Sequence, residues 1–259
     1  MTRTVTSASP RGRWITGAAA SLALLLPVAG AAATGLPPVE YPPIAGRAAD
    51  AAGFVPHGWR LEQEHRGDLD GDRREDLVLV LRMDDPANRI PGAVAAAPAF
   101  DTNPRMLVAA IALPEGGYRR VLSDHELVPR PHSPMLDDYL DPDGGGGVEI
   151  ADGALRVGLR VWANAGSWTT SQAGFTFRWR DGCFRLVGHD GFSLHRASGE
   201  IRTTSANYLT RRAWSSQGSI NDERQPPREW VTLPRRPLPC LEEIGNGLDF
   251  DPGIPGPPG

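Results

Sequence analysis

Between Gly67 and Leu77 the chain reads Asp-Leu-Asp-Gly-Asp-Arg-Arg-Glu-Asp, with Asp68, Asp70, Asp72 and Asp76 at positions 1, 3, 5 and 9. Carboxylates at alternate residues of a tight loop are spaced to surround one hard cation. Calcium takes about six to eight oxygen ligands in a flexible shell, so the four aspartates would offer side-chain oxygens and Arg74, at position 7, its backbone carbonyl. The cofactor expected here is Ca²⁺ in a structural role. Extracellular calcium modules commonly have dissociation constants of about 0.1 to 1 mM, and at about 1 mM calcium the tighter of these adds roughly 1.4 kcal/mol to folding stability. The plainer alternative is an Asp/Gly-rich turn open to solvent, because both residue types favour turns for local backbone reasons. Four like charges in one loop nevertheless repel unless a cation or water intervenes.

Other chemistry is thinly represented. All 27 basic residues are arginine, which removes Schiff-base lysines, a Ser-Lys dyad and a phosphate-loop lysine from consideration. Gly-x-Ser-x-Gly, His-Glu-x-x-His and Cys-x-x-Cys do not occur. The histidines His125, His132, His189 and His195, with Asp190, are the candidates for a catalytic site; His189 and His195 flank an expected turn and could approach one another. Scattered histidines in a β domain more often make structural hydrogen bonds, and no catalytic residue is assigned. Paired carboxylates of a hydrolase would leave no local motif. Trp162, Trp168, Trp179, Trp214 and Trp230 could stack on sugars or contact proteins where exposed, although core packing is the ordinary use of tryptophan.

The elements that must carry these residues begin after a leader. Arg3, Arg11 and Arg13 precede an apolar run from Trp14 to Ala33 that ends in small residues, the pattern of a secretory signal peptide over residues 1–33. A retained membrane anchor is the weaker alternative, because Gly17, Ser21 and Pro27 interrupt the run and no second span follows. Removal of the leader leaves 24 arginines against 31 acidic residues. The secreted or periplasmic product is acidic, which argues against nucleic-acid and anionic-membrane partners. In that compartment Cys183 and Cys240 are free to pair, closing a long loop worth roughly 4 kcal/mol, the alternative being two unpaired thiols.

Residues 34–48 form a Pro-rich lead-in, expected as an extended arm too poor in periodic apolar residues to pack, followed by a short helical turn within Arg47 to Gly53. Phe54, Val55 and Trp59 are its core anchors. The runs Leu77 to Leu81 and Met106 to Leu113 are continuous and apolar, as in strands buried on both faces. Leu155, Val157, Leu159 and Val161 alternate with Arg156, Gly158, Arg160 and Trp162, and Phe175, Phe177 and Trp179 alternate likewise, the period of strands with one buried face. Asp181-Gly182 supplies a two-residue hairpin turn into Cys183 to Val187. Further short strands are expected near 117–122, 191–197, 200–209 and 228–232. The fold class is mainly β: a single antiparallel β domain over 49–235, a sandwich or a propeller fragment, with one short helix. Residues 122–147 make a long Pro- and Gly-rich loop, functional or merely mobile. A Pro/Gly-rich tail covers 236–259, expected to be disordered beyond Gly245.

The stretch Gly67 to Leu77 resembles the calcium loop of FG-GAP and VCBS-type repeats, in which Asp-x-Asp-Gly-Asp-Gly-x-x-Asp runs into an apolar strand. The resemblance implies ligand roles for Asp68, Asp70, Asp72 and Asp76. Arg73 stands where the family has a left-handed glycine, a departure that costs about 1 kcal/mol. Only some twenty residues are covered, and one such loop is present where a full propeller has several. More loosely, Phe54-Val55-Pro56, Gly58-Trp59, Phe175 to Arg178, Leu186 to Asp190 and Ser205 to Thr210 resemble a family of secreted bacterial proteins without an assigned activity; this implies secretion and a shared β fold. The sequence therefore points to a secreted calcium-loop β protein with a binding or structural role towards a protein or polysaccharide. A secreted hydrolase is the alternative.

Overall fold

A computed structural model describes residues 36–92 and 98–254. The signal-peptide segment 1–33 lies outside the described residues, as do the first two residues of the lead-in and the last five of the tail. The strands are β1 Arg47–Ala48, β2 Trp59–Gly67, β3 Asp76–Met83, β4 Arg89–Ile90, β5 Phe100–Asp101, β6 Arg105–Ala112 and β7 Tyr118–Asp124, followed by β8 Gly147–Ala151, β9 Ala154–Val161, β10 Thr169–Arg180, β11 Cys183–His195, β12 Glu200–Asn207, β13 Arg212–Ser219 and β14 Glu229–Thr232. All pairings between them are antiparallel. A five-stranded sheet has the order β1-β7-β6-β3-β2 and a seven-stranded sheet runs β14-β13-β12-β11-β10-β9-β8. The helical pieces among the described residues are short 3₁₀ turns. The expected helix is the turn Ala51–Phe54, capped by the Asp50 carboxylate.

Alternation along the strands sets what faces what. Val78 and Val80 of β3 and Leu107, Ala109 and Ile111 of β6 meet Leu155, Val157 and Leu159 of β9, Phe175 and Phe177 of β10, and Phe184 and Leu186 of β11 in one core between the sheets. The intervening residues Leu77, Leu79, Leu81, Met106, Val108 and Ala110 fill a second core on the opposite face of the five-stranded sheet. This is why β3 and β6 are apolar at every position: both faces are covered. The cover on that second face is the lead-in itself. Its backbone is extended as expected, but Ile44 is buried, Tyr41 packs beside Trp59, and Arg47–Ala48 adds an edge strand to β7. The lead-in is thus a packed layer, held also by the Arg130 guanidinium, which donates to the carbonyls of Pro37 and Thr102.

The tail beyond Gly245 is likewise ordered as far as Ile254. Leu248 and Phe250 pack against the inter-sheet core, and Ile254 joins Ala206, Ala213 and Leu233 in a small third cluster. Cys183 and Cys240 form a disulfide that ties this segment to the start of β11. Such a bond persists in oxidising, extracytoplasmic environments. No helix among the described residues is long and apolar enough to cross a membrane.

Two tight turns have residues in the left-handed region at both central positions, Asp152-Gly153 between β8 and β9 and Asp181-Gly182 between β10 and β11. That is the geometry of the two-residue hairpin whose twist suits the strands. The long loop 125–146 is tethered by charge. Arg105, almost fully buried, donates to Asp138 from Nη1 at 2.8 Å and from Nη2 at 2.6 Å, and its other edge meets Glu62, the bulged residue of β2. Burial works against ionisation of Glu62 and Asp138, and the Arg105 guanidinium outweighs it, holding both carboxyls below the ordinary range.

Candidate metal centre and outer face

The acidic loop is the turn joining β2 to β3. Its backbone is folded by its own carboxylates. Asp68 accepts from the N–H of Gly71 at 2.7 Å and of Arg73 at 2.9 Å, and Asp70 accepts from Asp72 N–H at 3.1 Å. The Arg73 N–H, then that of Gly71, hold the Asp68 carboxyl below its usual range. Gly71 has φ 88° and Arg73 φ 69°, so the position matched to the family's glycine is left-handed here in spite of its side chain. Asp76, the first residue of β3, is fully buried. Its two oxygens accept from Leu69 N–H and Ala112 N–H, both at 2.8 Å, which clamps the loop to the end of β6. Burial pushes its carboxyl up, the two backbone donors work against this, and the charges of Asp70 and Asp72 add to the rise.

One oxygen each from Asp68, Asp70 and Asp76 lie within 4.8 Å of one another. A set of three carboxylates, one of them buried and without a cationic partner among the described residues, fits a hard divalent ion. Asp72 stands outside this set. Its carboxylate is paired with the Arg74 guanidinium, whose Nε also reaches the carbonyl of Ala112 at 3.4 Å. Beyond the backbone carbonyl expected of it, Arg74 supplies with its side chain the positive charge that Asp72 needs. A cation that recruits Asp72 must displace it.

His189 and His195 are not brought together. The turn expected between His189 and His195 is absent: β11 is one continuous strand, so the two lie six residues apart along it, about 20 Å. His189 pairs with Phe175 and faces the core, whereas Asp190 points to the opposite face. His125 stacks on Tyr41 at 3.9 Å, His132 bonds the Tyr139 hydroxyl and His195 bonds Ser198.

The tryptophans divide. Trp59 is buried in the second core and Trp179 packs against the core between the sheets, while Trp168 and Trp230 are 66% and 52% exposed. Trp162 is flanked by the guanidiniums of Arg160 and Arg196, Trp214 by Arg228 and Trp230 by Arg212. Strand register lines up Gly147, Gly158, Gly174, Asp190, Ser205, Trp214 and Trp230 across all seven strands of the larger sheet. These residues belong to its outer face, since their neighbours Val157 and Phe175 point inward. The Gly-rich loop folds over one end of this row. A Cβ on Gly158 would lie 2.7 Å from the carbonyl oxygen of Gly145, so glycine there is what admits the loop. Beside it opens a cleft of about 600 Å³ bordered by His65, Glu149, Arg156, Thr176 and Asp190. Local sequence carried no sign of the cleft, because its walls come from both sheets. The chain matches no protein-family model, no curated protein and no solved structure.

Proposed function

We propose that this is an exported β protein whose acidic loop takes Ca²⁺ as a structural clip between β2 and β3, and whose outer face serves a binding role towards a protein or polysaccharide. The observation that carries the reading is the convergence of Asp68, Asp70 and Asp76 oxygens within 4.8 Å around a fully buried carboxylate. The FG-GAP-like order of the loop and the apolar strand that follows it support calcium in particular. The N-terminal signal-peptide pattern and the disulfide support export, by which the protein meets millimolar calcium. The exposed Trp168 and Trp230 support a binding surface, and the acidic balance of the mature chain disfavours nucleic acid as its ligand. The hydrolase alternative has less support, with His189 and Asp190 on opposite faces of one strand.

Calcium titration by calorimetry of the mature protein and two variants tests the metal assignment. Asp70→Ala should abolish binding. Arg74→Gln, which frees Asp72, should strengthen it by a few-fold, the scale of an exposed ion pair at about 0.5 kcal/mol. Equal affinity in wild type and Asp70→Ala removes the site from this loop.

A further inference from the structure

The inner face of β11 and β12, where the C-terminal segment crosses it, holds an open recess of about 300 Å³. His189 forms part of its wall. The ring is 5% exposed, set edge-on to Phe175 at 5.0 Å and tilted against Phe250 at 5.4 Å, and its Nδ1 is buried with no hydrogen-bond partner. Buried polar atoms are nearly always paired, and this unpaired nitrogen leaves the ring a polar, uncommitted group at the inner margin of the recess.

Three further polar side chains point into the same space. The register places Ser193, Arg202 and Thr204 on the face of His189, and all three line the recess. Among the described residues, neither hydroxyl makes a hydrogen bond and Arg202 has no ion pair. Gly191 keeps the room between them open: a Cβ there would sit 2.5 Å from Thr204 Oγ1 and 3.7 Å from His189 Cε1. The one carboxylate in the wall, Asp251, accepts the N–H of Gly253 at 2.8 Å, and the amide of Gln172 is committed to the Gly144 carbonyl. Donors therefore outnumber acceptors on the sheet side. Pro252 and Ile254 supply an apolar flank.

We infer that this recess binds a small organic acid, with its carboxylate or phosphate on Arg202, Ser193 and Thr204, the His189 ring closing its inner end and the apolar flank covering the body. The lysine-free chain uses arginine here to advantage, since a guanidinium can hold an oxyanion through two parallel N–H groups. This inference is independent of the calcium loop, which lies at a different turn of the fold.

The test follows the His189 imidazole ¹⁵N resonances in the mature protein at fixed calcium while benzoate, phenyl phosphate or the neutral benzyl alcohol is added. The expected result is a saturable shift at about millimolar concentration with at least one of the two acids and none with the alcohol, the stronger acid telling carboxylate from phosphate. Arg202→Gln should weaken that binding at least about tenfold, while Arg202→Lys, which keeps the charge but loses the paired N–H groups, falls between the two; the amide spectrum of each variant reports whether the fold is intact. Absence of saturation by either acid up to about 20 mM overturns the assignment. So does undiminished binding to a folded Arg202→Gln, or an equal response to benzyl alcohol.

Discussion

Replacing His189 by phenylalanine should flatten the acid limb of this protein's stability. Burial between Phe175 and Phe250 pushes the imidazole down from 6.5 to about 4, against the pull of the Asp190 charge. Below pH 6.5 the unfolded chain takes up a proton that the folded protein refuses until about pH 4. The unfolded state binds more protons throughout that window, so stability is fully present above it and is lost as the pH falls. At about 1.4 kcal/mol for each pH unit, the loss reaches about 2.5 kcal/mol by about pH 4.5. Urea unfolding of both proteins with the disulfide intact, at neutral pH and near pH 4.5, gives the comparison. The carboxylates common to both proteins cancel in the double difference, leaving the imidazole. A drop in wild type exceeding that of His189→Phe by about 2 to 3 kcal/mol is the expected outcome. Identical acid limbs would mean that His189 takes its proton inside the fold, and the burial reasoning would be refuted.

Two other substitutions probe the loops. Gly158→Ala drives a methyl group into the Gly145 carbonyl and should cost about 1 to 3 kcal/mol, read as a lower urea midpoint, with faster amide exchange confined to residues 142–147. Arg73→Gly relieves a left-handed non-glycine residue and should raise stability by up to about 1 kcal/mol in thermal unfolding, without displacing the Asp68 acceptor bonds.

How much of this was legible in the sequence depended on who buries each face. Leu77 to Leu81 announced a two-sided strand because both of its covers are apolar, and the alternation of Leu155, Val157 and Leu159 marked the inner face of β9 directly. β2 escaped notice because Gln63 and His65 take its inward positions near the rim and Glu62 is bulged towards Arg105, so no apolar period survives. β13 was hidden by its serines and glycine, which fill a strand without announcing it. β11 read as two strands because a bulge and Gly188 break its alternation near Val187. The prolines of the lead-in and tail suggested mobile chain, whereas Ile44, Leu248 and Phe250 are enough to pin segments that make no ladder of their own. In the acidic loop, the spacing identified three converging carboxylates; it could not show that the Arg74 side chain turns back onto Asp72, which is a matter of one rotamer.

The most direct test of the calcium clip is thermal unfolding of the mature, disulfide-intact protein in calcium, in magnesium and in chelator. A selective rise in calcium, corresponding to about 1.4 kcal/mol at about 1 mM and absent in Asp70→Ala, is the predicted result. Coincident transitions in all three conditions would contradict it, and would leave the loop as a turn held by its own aspartate acceptors.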